Sequence, residues 1–234
     1  VYYGSSITQG GCASRPGMSY QSILSRKLNA NYINLGFSGN AKAEDEMAQY
    51  IKDLKMSLFV YDYDHNAPSF EHLEKTHERM FKKIREKMPD VTLRTTMITG
   101  FPGETEEDFN ELCDWVKKMR FDRMGAFAYS EEEGTFAARH YSDDIPQEEK
   151  ERRVDTLMAL QQSISSEILS QMVGTQQRVV IDREEQEYYV GRTQYDSPEV
   201  DCEVLIDKAE KLQIGEFYIV NIIKSEDFDL YAKL

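Results

Sequence analysis

At Gly174 the patterning of this 234-residue chain changes, and the change fixes what each side of it can fold into. After Gly174, short runs rich in β-branched and aromatic residues recur about ten residues apart, at 178–181, 187–192, 203–206, 217–224 and 229–232. Even spacing of short strands marks a small all-β barrel or sandwich. Before Gly174 the apolar residues follow helical spacing in long stretches, separated by short apolar runs. A boundary is therefore expected near Val173.

Residues 1–4, 32–37 and 58–63 read as strands, and 19–28, 43–54 and 70–87 as helices. The last of these carries Leu73, His77, Met80, Phe81 and Ile84 at helical spacing. Strand–helix alternation predicts a parallel α/β sheet. A further strand at 91–98 enters the turn Thr99-Gly100-Phe101-Pro102-Gly103. A helix over 106–119 follows, with Thr105 as N-cap and Asp108 three residues on, close to a capping box. Then come a strand at 123–129, an acidic loop at 131–133 and a linker at 141–146. A long helix over 147–172 presents Val154, Leu157, Met158, Ile164, Ile168 and Met172 along one side. The expected organisation is four parts: 1–90, 91–146, 147–172 and 173–234. The first two could share one composite sheet.

Charge divides the chain in the same way. Residues 1–90 hold 12 Lys+Arg against 11 Asp+Glu, whereas 91–234 hold 16 against 31. The acidic part is a poor nucleic-acid binder, because phosphate contacts need cations, but it suits a basic protein partner. No apolar run approaches a membrane span, and no basic segment followed by an apolar one opens the chain as a signal peptide does. The strand pattern begins at Val1 itself, so a longer natural N-terminus is expected. Cys12, Cys113 and Cys202 lie far apart and form no metal or cluster spacing, which suits a reducing, cytoplasmic compartment.

Gly4-Ser5-Ser6-Ile7-Thr8 places serines in a sharp turn at the end of a strand, where a hydroxyl can stand exposed. Phe37-Ser38-Gly39-Asn40 follows the second strand, and Tyr61-Asp62-Tyr63-Asp64-His65-Asn66 ends the third. In order and spacing these resemble the first three blocks of the SGNH (GDSL-type) esterase family, with Ser5 where aspartate is usual. The resemblance implies Ser6 as nucleophile. The Ser6 N–H, the Gly39 N–H and the Asn66 side chain would then hold the oxyanion. A serine needs a base, normally histidine oriented by a carboxylate. The family's late Asp-x-x-His pair has no counterpart among His65, His72, His77 and His140. Asp62-x-x-His65 matches its letters but belongs to the third block. An improvised base would be His65 or His140. The plain alternative for Ser6 is a turn serine capping a helix.

Leu93-Arg94-Thr95-Thr96-Met97-Ile98-Thr99-Gly100-Phe101-Pro102-Gly103-Glu104-Thr105 and residues 120–130 resemble the late barrel strands of radical-SAM methylthiotransferases. Glu131-Glu132-Glu133-Gly134-Thr135, Asp182-Arg183-Glu184-Glu185 and Tyr188-Tyr189-Val190-Gly191-Arg192-Thr193 narrow this to the RimO type, which modifies an aspartate of a small-subunit ribosomal protein. Residues 173–234 then resemble a TRAM domain. The resemblance implies an acidic barrel that docks a basic ribosomal protein. It also implies [4Fe–4S] clusters and S-adenosylmethionine in the parent. Thiolates at Cys-x-x-x-Cys-x-x-Cys spacing hold such a cluster. That spacing is missing here, so no cofactor is expected in this chain. Without the cluster, the Gly100–Glu104 stretch reads as a turn and helix start rather than a pocket wall. The helix ending Ile84-Arg85-Glu86-Lys87-Met88-Pro89 suits both parents, which makes the chain a chimera crossed over at a shared segment. The expected function is a RimO-like fragment that binds a ribosomal protein; the alternative is an SGNH-type esterase lacking its Asp–His pair.

Overall fold

The structure is a computed structural model that describes residues 1–234, with the side chains of His65 and Phe70 outside the description. The chain divides into two compact units, Val1–Val91 and Thr92–Leu234.

The first unit is a parallel α/β sheet. It runs β1 (Tyr2–Gly4), α1 (Ser6–Gln9), α2 (Tyr20–Leu28), β2 (Asn34–Gly36), α3 (Asp45–Lys52), β3 (Val60–Asp62) and α4 (Phe70–Lys87). The strand order is β2-β1-β3, with Tyr3 opposite both Leu35 and Tyr61. β1 is central, so its side chains are the most enclosed. Tyr3 is fully buried and packs with Ala48, Ile51, Met80 and Ile84. Its hydroxyl accepts the Ala43 N–H at 2.7 Å, and burial pushes the phenol up to about 12. Met80 and Ile84 lie four apart, so both fall on the inward face of α4.

The second unit begins with β4 (Arg94–Thr99), α5 (Glu106–Met119) and β5 (Arg123–Ala128), followed by α6 (Phe136–His140) and α7 (Gln147–Met172). β4 and β5 pair in parallel as a two-stranded sheet. α5 starts with a complete capping box: Asp108 N–H donates to the Thr105 hydroxyl at 3.1 Å and Thr105 N–H donates to the Asp108 carboxylate at 2.9 Å. These satisfy two of the donors a helix start leaves unpaired.

β6 (Gln176–Glu184), β7 (Tyr188–Thr193), β8 (Glu203–Asp207), β9 (Phe217–Ser225) and β10 (Asp229–Lys233) close into a barrel of order β10-β8-β7-β6-β9. Alternate residues point inward. Val179 and Ile181, Val204 and Ile206, Val220 and Ile222, and Leu230 are all 0–1% exposed. Each such aliphatic side chain contributes roughly 1.5–3 kcal/mol by leaving water. Leu169, near the end of α7, enters the same core. The fold class read from the sequence, a parallel α/β region followed by a small closed β-barrel, is the one observed.

Candidate functional site

The three loops that leave the carboxyl ends of β1, β2 and β3 meet, as loops do at the functional end of a parallel sheet. Backbone bonds set this up: Ser5 N–H donates to the Asp62 carbonyl at 3.1 Å, and Phe37 N–H donates to the Gly4 carbonyl at 2.9 Å. The Asn66 side-chain amide donates to the Phe37 carbonyl at 3.1 Å, tying the third loop to the second. It is Ser5, not Ser6, that caps α1, accepting the Ile7 N–H at 3.3 Å. Ser6 is the first helical residue and is partly exposed. Its hydroxyl and its N–H have no hydrogen-bond partner among the described residues. A free N–H is inherent to that helix position. Gly39 has φ +67°, a conformation that disfavours side chains, and a Cβ there would meet nothing within 4 Å. Its N–H likewise has no partner among the described residues. The structure therefore brings Ser6, Gly39 and Asn66 to one sheet end.

Of the histidine side chains described in this unit, His72 and His77 are engaged elsewhere. His72 Nε2 lies 2.7 Å from the Lys42 carbonyl. His77 stacks on Tyr61 with centroids 5.1 Å apart, and burial holds its pKa below the ordinary range. His140 belongs to the second unit, where Nδ1 lies 2.8 Å from the Phe136 carbonyl. The His65 side chain is outside the described residues. The Asp62 carboxylate accepts the Thr8 hydroxyl at 3.4 Å.

In the second unit the turn after β4 is locked rather than open. Gly100 has φ +74°, and a Cβ there would stand 2.4 Å from Cγ of Lys150. The Lys150 ammonium, with its side chain 3% exposed, donates to both Asp143 oxygens at 2.5 and 2.6 Å. Arg153 donates to the Glu104 carboxylate at 2.5 Å and to Glu149 at 2.8 Å. Two buried cations on α7 thus hold the turn, and the Lys150 methylenes fill the space above Gly100. Helical apolar spacing could not reveal this, because the residues that do it are charged.

The loop between β7 and β8 is joined to the start of the β4–β5 sheet. Arg123 Nε donates to Asp196 at 2.9 Å, and Arg94 pairs with Asp201. On the barrel surface Arg183 pairs bidentately with Glu203 at 2.6 and 2.8 Å, while Arg192, Lys208 and Lys224 pair with Asp182, Glu184 and Glu226. Residues 173–234 hold 7 Lys+Arg against 14 Asp+Glu, so these pairings leave a surplus of carboxylates.

The thiols lie apart. Cys12 is exposed in the first unit, Cys113 is enclosed on α5, and Cys202 is in the barrel core. Burial pushes the Cys202 thiol up to about 12. Among the described residues no three His, Cys, Asp or Glu side chains converge as metal ligands. These residues do not fit the cluster that the radical-SAM resemblance implies. Among the described residues no helix is long and apolar enough to cross a membrane.

Comparison with known proteins assigns the two ends differently. The model of the GDSL-like Lipase/Acylhydrolase family matches residues 1–101, and the TRAM domain model matches residues 173–234. The ribosomal protein uS12 methylthiotransferase RimO of Bacteroides thetaiotaomicron is 56% identical over 157 residues, 67% of this chain and 36% of its own length. That of Phocaeicola vulgatus is 59% identical over 156 residues, 66% of this chain and 36% of its own. The chain is a composite. Its N-terminal part resembles the GDSL-like lipases and acylhydrolases, and its C-terminal part resembles RimO and ends in a TRAM domain. The chain spans about a third of the length of the curated relatives it matches. A protein from Bacteroides ovatus described as a GDSL-like lipase has a crystal structure that is 27% identical, with a TM-score of 0.43, covering 72% of this chain and 52% of its own. A match of 157 residues in a chain of 234 cannot begin after residue 78. It therefore overlaps the lipase-type model over at least residues 78–101, which hold the end of α4 and all of β4.

Proposed function

We propose that the RimO-like part keeps the recognition function of its relatives without their chemistry: its acidic barrel binds a basic protein of the small ribosomal subunit. The observation that carries this reading is the barrel itself. It is closed, it has its own core, and residues 173–234 hold 14 Asp+Glu against 7 Lys+Arg. The curated relatives are named for acting on ribosomal protein uS12, and a basic protein is drawn to such a surface by steering. Direct nucleic-acid binding is opposed by the same charge. Methylthiolation is not part of the proposal, because three dispersed cysteines cannot hold the cluster. Three free cysteines support a reducing, cytoplasmic location. The test is a titration of labelled uS12 with the full chain at low and high salt. Binding that weakens as salt rises supports the reading; no binding at low salt, or binding indifferent to salt, refutes it.

A second reading concerns the first unit and rests on the gathering of the Ser6 N–H, the Gly39 N–H and the Asn66 amide at one sheet end. Donors so placed can stabilise an oxyanion, each worth roughly 10²–10³ in rate. Under this reading the site binds an ester carbonyl at Ser6 and turns it over slowly for want of an oriented base. The test is p-nitrophenyl acetate hydrolysis by the wild type and by Ser6→Ala. Equal rates refute it.

A further inference from the structure

The outer surface of the barrel is not uniform. Successive residues of a strand point to opposite sides, so Phe217, Ile219, Asn221 and Ile223 of β9 face outward while Val220 and Ile222 fill the core. Three of these four are apolar and stand in water: Phe217, Ile219 and Ile223 are 57%, 56% and 51% exposed. β6 and β10 flank this stripe, with Val180 opposite Phe217, Arg178 opposite Ile219 and Lys233 opposite Asn221. The closed ring leaves no free strand edge, so a partner must meet the stripe through side chains. Contiguous exposed apolar surface of this kind marks an interaction site.

Charge around the stripe differs from that of the rest of the barrel. Arg178, Lys224 and Lys233 lie beside it, and Glu216, Glu226, Asp227 and Asp229 lie around its two ends. Residues 173–234 hold 7 Lys+Arg against 14 Asp+Glu, so the remainder of the barrel keeps 4 cations against 10 carboxylates. The stripe is thus close to neutral in an acidic domain. The Arg178 guanidinium lies over the Phe217 ring, 4.3 Å from its centroid, with no carboxylate partner among the described residues. Asp227, beyond the Ile223 end, accepts the Gln162 amide at 2.9 Å and meets no cation among the described residues. An unpaired cation therefore stands at one end of the stripe and an unpaired carboxylate at the other.

We propose that the stripe is where a second copy of this chain docks, about a two-fold axis that lays β9 antiparallel on β9. In such an interface the same patch serves both copies, and each contact occurs twice. Phe217 of each copy packs on Ile223 of the other, and Arg178 of each reaches Asp227 of the other. The occupant is argued from charge. The chain carries a net charge of −14, so two copies repel one another over most of their surface. The stripe is the part of the barrel where that repulsion is least, and its ends are complementary to one another. A basic partner is drawn instead to the acidic remainder, so the inference does not rest on the ribosomal-protein reading.

The experiment is sedimentation equilibrium of the full chain from about 1 μM to about 1 mM, the range of affinities a small interface gives. A monomer–dimer equilibrium is expected. Ile219→Asp/Ile223→Asp is expected to raise its Kd at least about tenfold, as loss of a central anchor does. Both positions are exposed, so the variant is expected to retain the wild-type thermal unfolding midpoint. Should the aspartates unfold the barrel, Ile219→Thr/Ile223→Thr, which keeps the β-branched shape, takes their place. Arg178→Glu is expected to weaken the dimer, and Arg178→Glu/Asp227→Arg to restore it. Loss of the Arg178 contact with Phe217 would not by itself be rescued in this way. A monomer at every concentration overturns the proposal, and so does a dimer indifferent to the stripe variants. Loss of uS12 binding in those variants, with a monomeric wild type, assigns the stripe to the basic protein instead.

Discussion

Arg123 and Asp196 form an enclosed ion pair that joins the β4–β5 sheet to the barrel loop: their side chains are 10% and 1% exposed. Asp196 also accepts the Thr193 hydroxyl at 2.5 Å, so the carboxylate is held from both sides. Removing one partner of such a pair strands the other charge away from water, at a cost of about 3–5 kcal/mol. Arg123→Ala is therefore expected to lower the unfolding free energy of the second unit by that order. Replacing both residues by apolar ones is expected to cost less than the single change. Urea unfolding of the two variants checks this.

Gly100 permits both a left-handed turn and the passage of Lys150. Gly100→Ala must place a Cβ against Lys150 Cγ at an unfavourable φ. Strain of this kind costs about 1–3 kcal/mol. The thermal midpoint of Gly100→Ala is expected to fall, whereas Gly134→Ala, where φ is also positive but nothing lies within 4 Å, is expected to fall less.

Glu149 is held down to about 2 by hydrogen bonds from Arg152 and Arg153, against an ordinary value of 4.5. A carboxylate depressed in the folded state stabilises it fully above its unfolded pKa, and that contribution is lost as pH falls through the folded one. Stability of the α7 region is thus expected to decline between about pH 4.5 and pH 2. Glu149→Gln is expected to flatten that limb while leaving neutral pH with a uniformly lower midpoint. Because the group is solvent-exposed, added salt is expected to shrink the effect. Circular dichroism melts across this range read all three.

Of the three thiols only Cys12 is exposed. Burial raises the pKa of both Cys113 and Cys202, and a thiol that stays protonated and enclosed does not react. Brief iodoacetamide treatment of the native chain is expected to add one label, at Cys12, and three after denaturation. Mass spectrometry of the intact protein and its peptides checks this, and rapid native labelling of Cys202 would contradict the closed barrel.

The long helices were the most legible elements. Helices α4, α5 and α7 begin and end where apolar spacing and capping residues place them, because a long amphipathic face repeats its signal several times. Short strands were legible in existence but not in extent: β2 is only Asn34–Gly36 although the apolar run covers 32–37, since only part of that run finds ladder partners. Helix α6, five residues capped by Thr135, was missed behind an acidic run. On α7 the buried face includes Lys150, Arg153 and Gln161. Periodicity of apolar residues is blind to polar side chains that are buried because they have partners. The three block motifs gave the gathering of Ser6, Gly39 and Asn66, yet the division of labour between Ser5 and Ser6 depends on which serine starts the helix, and both carry the same hydroxyl.

The barrel's closing contact is the parallel pairing of β8 with β10, and β10 is the last of its strands to be made. Until that strand emerges, β8 and β9 each present a bare edge, so the ring cannot be assembled step by step as the chain is synthesised. The interval before closure is when this domain is most open to pairing with the wrong strand. A strand that pairs with the bare edge of β8 before β10 does would hold this domain open and prone to association.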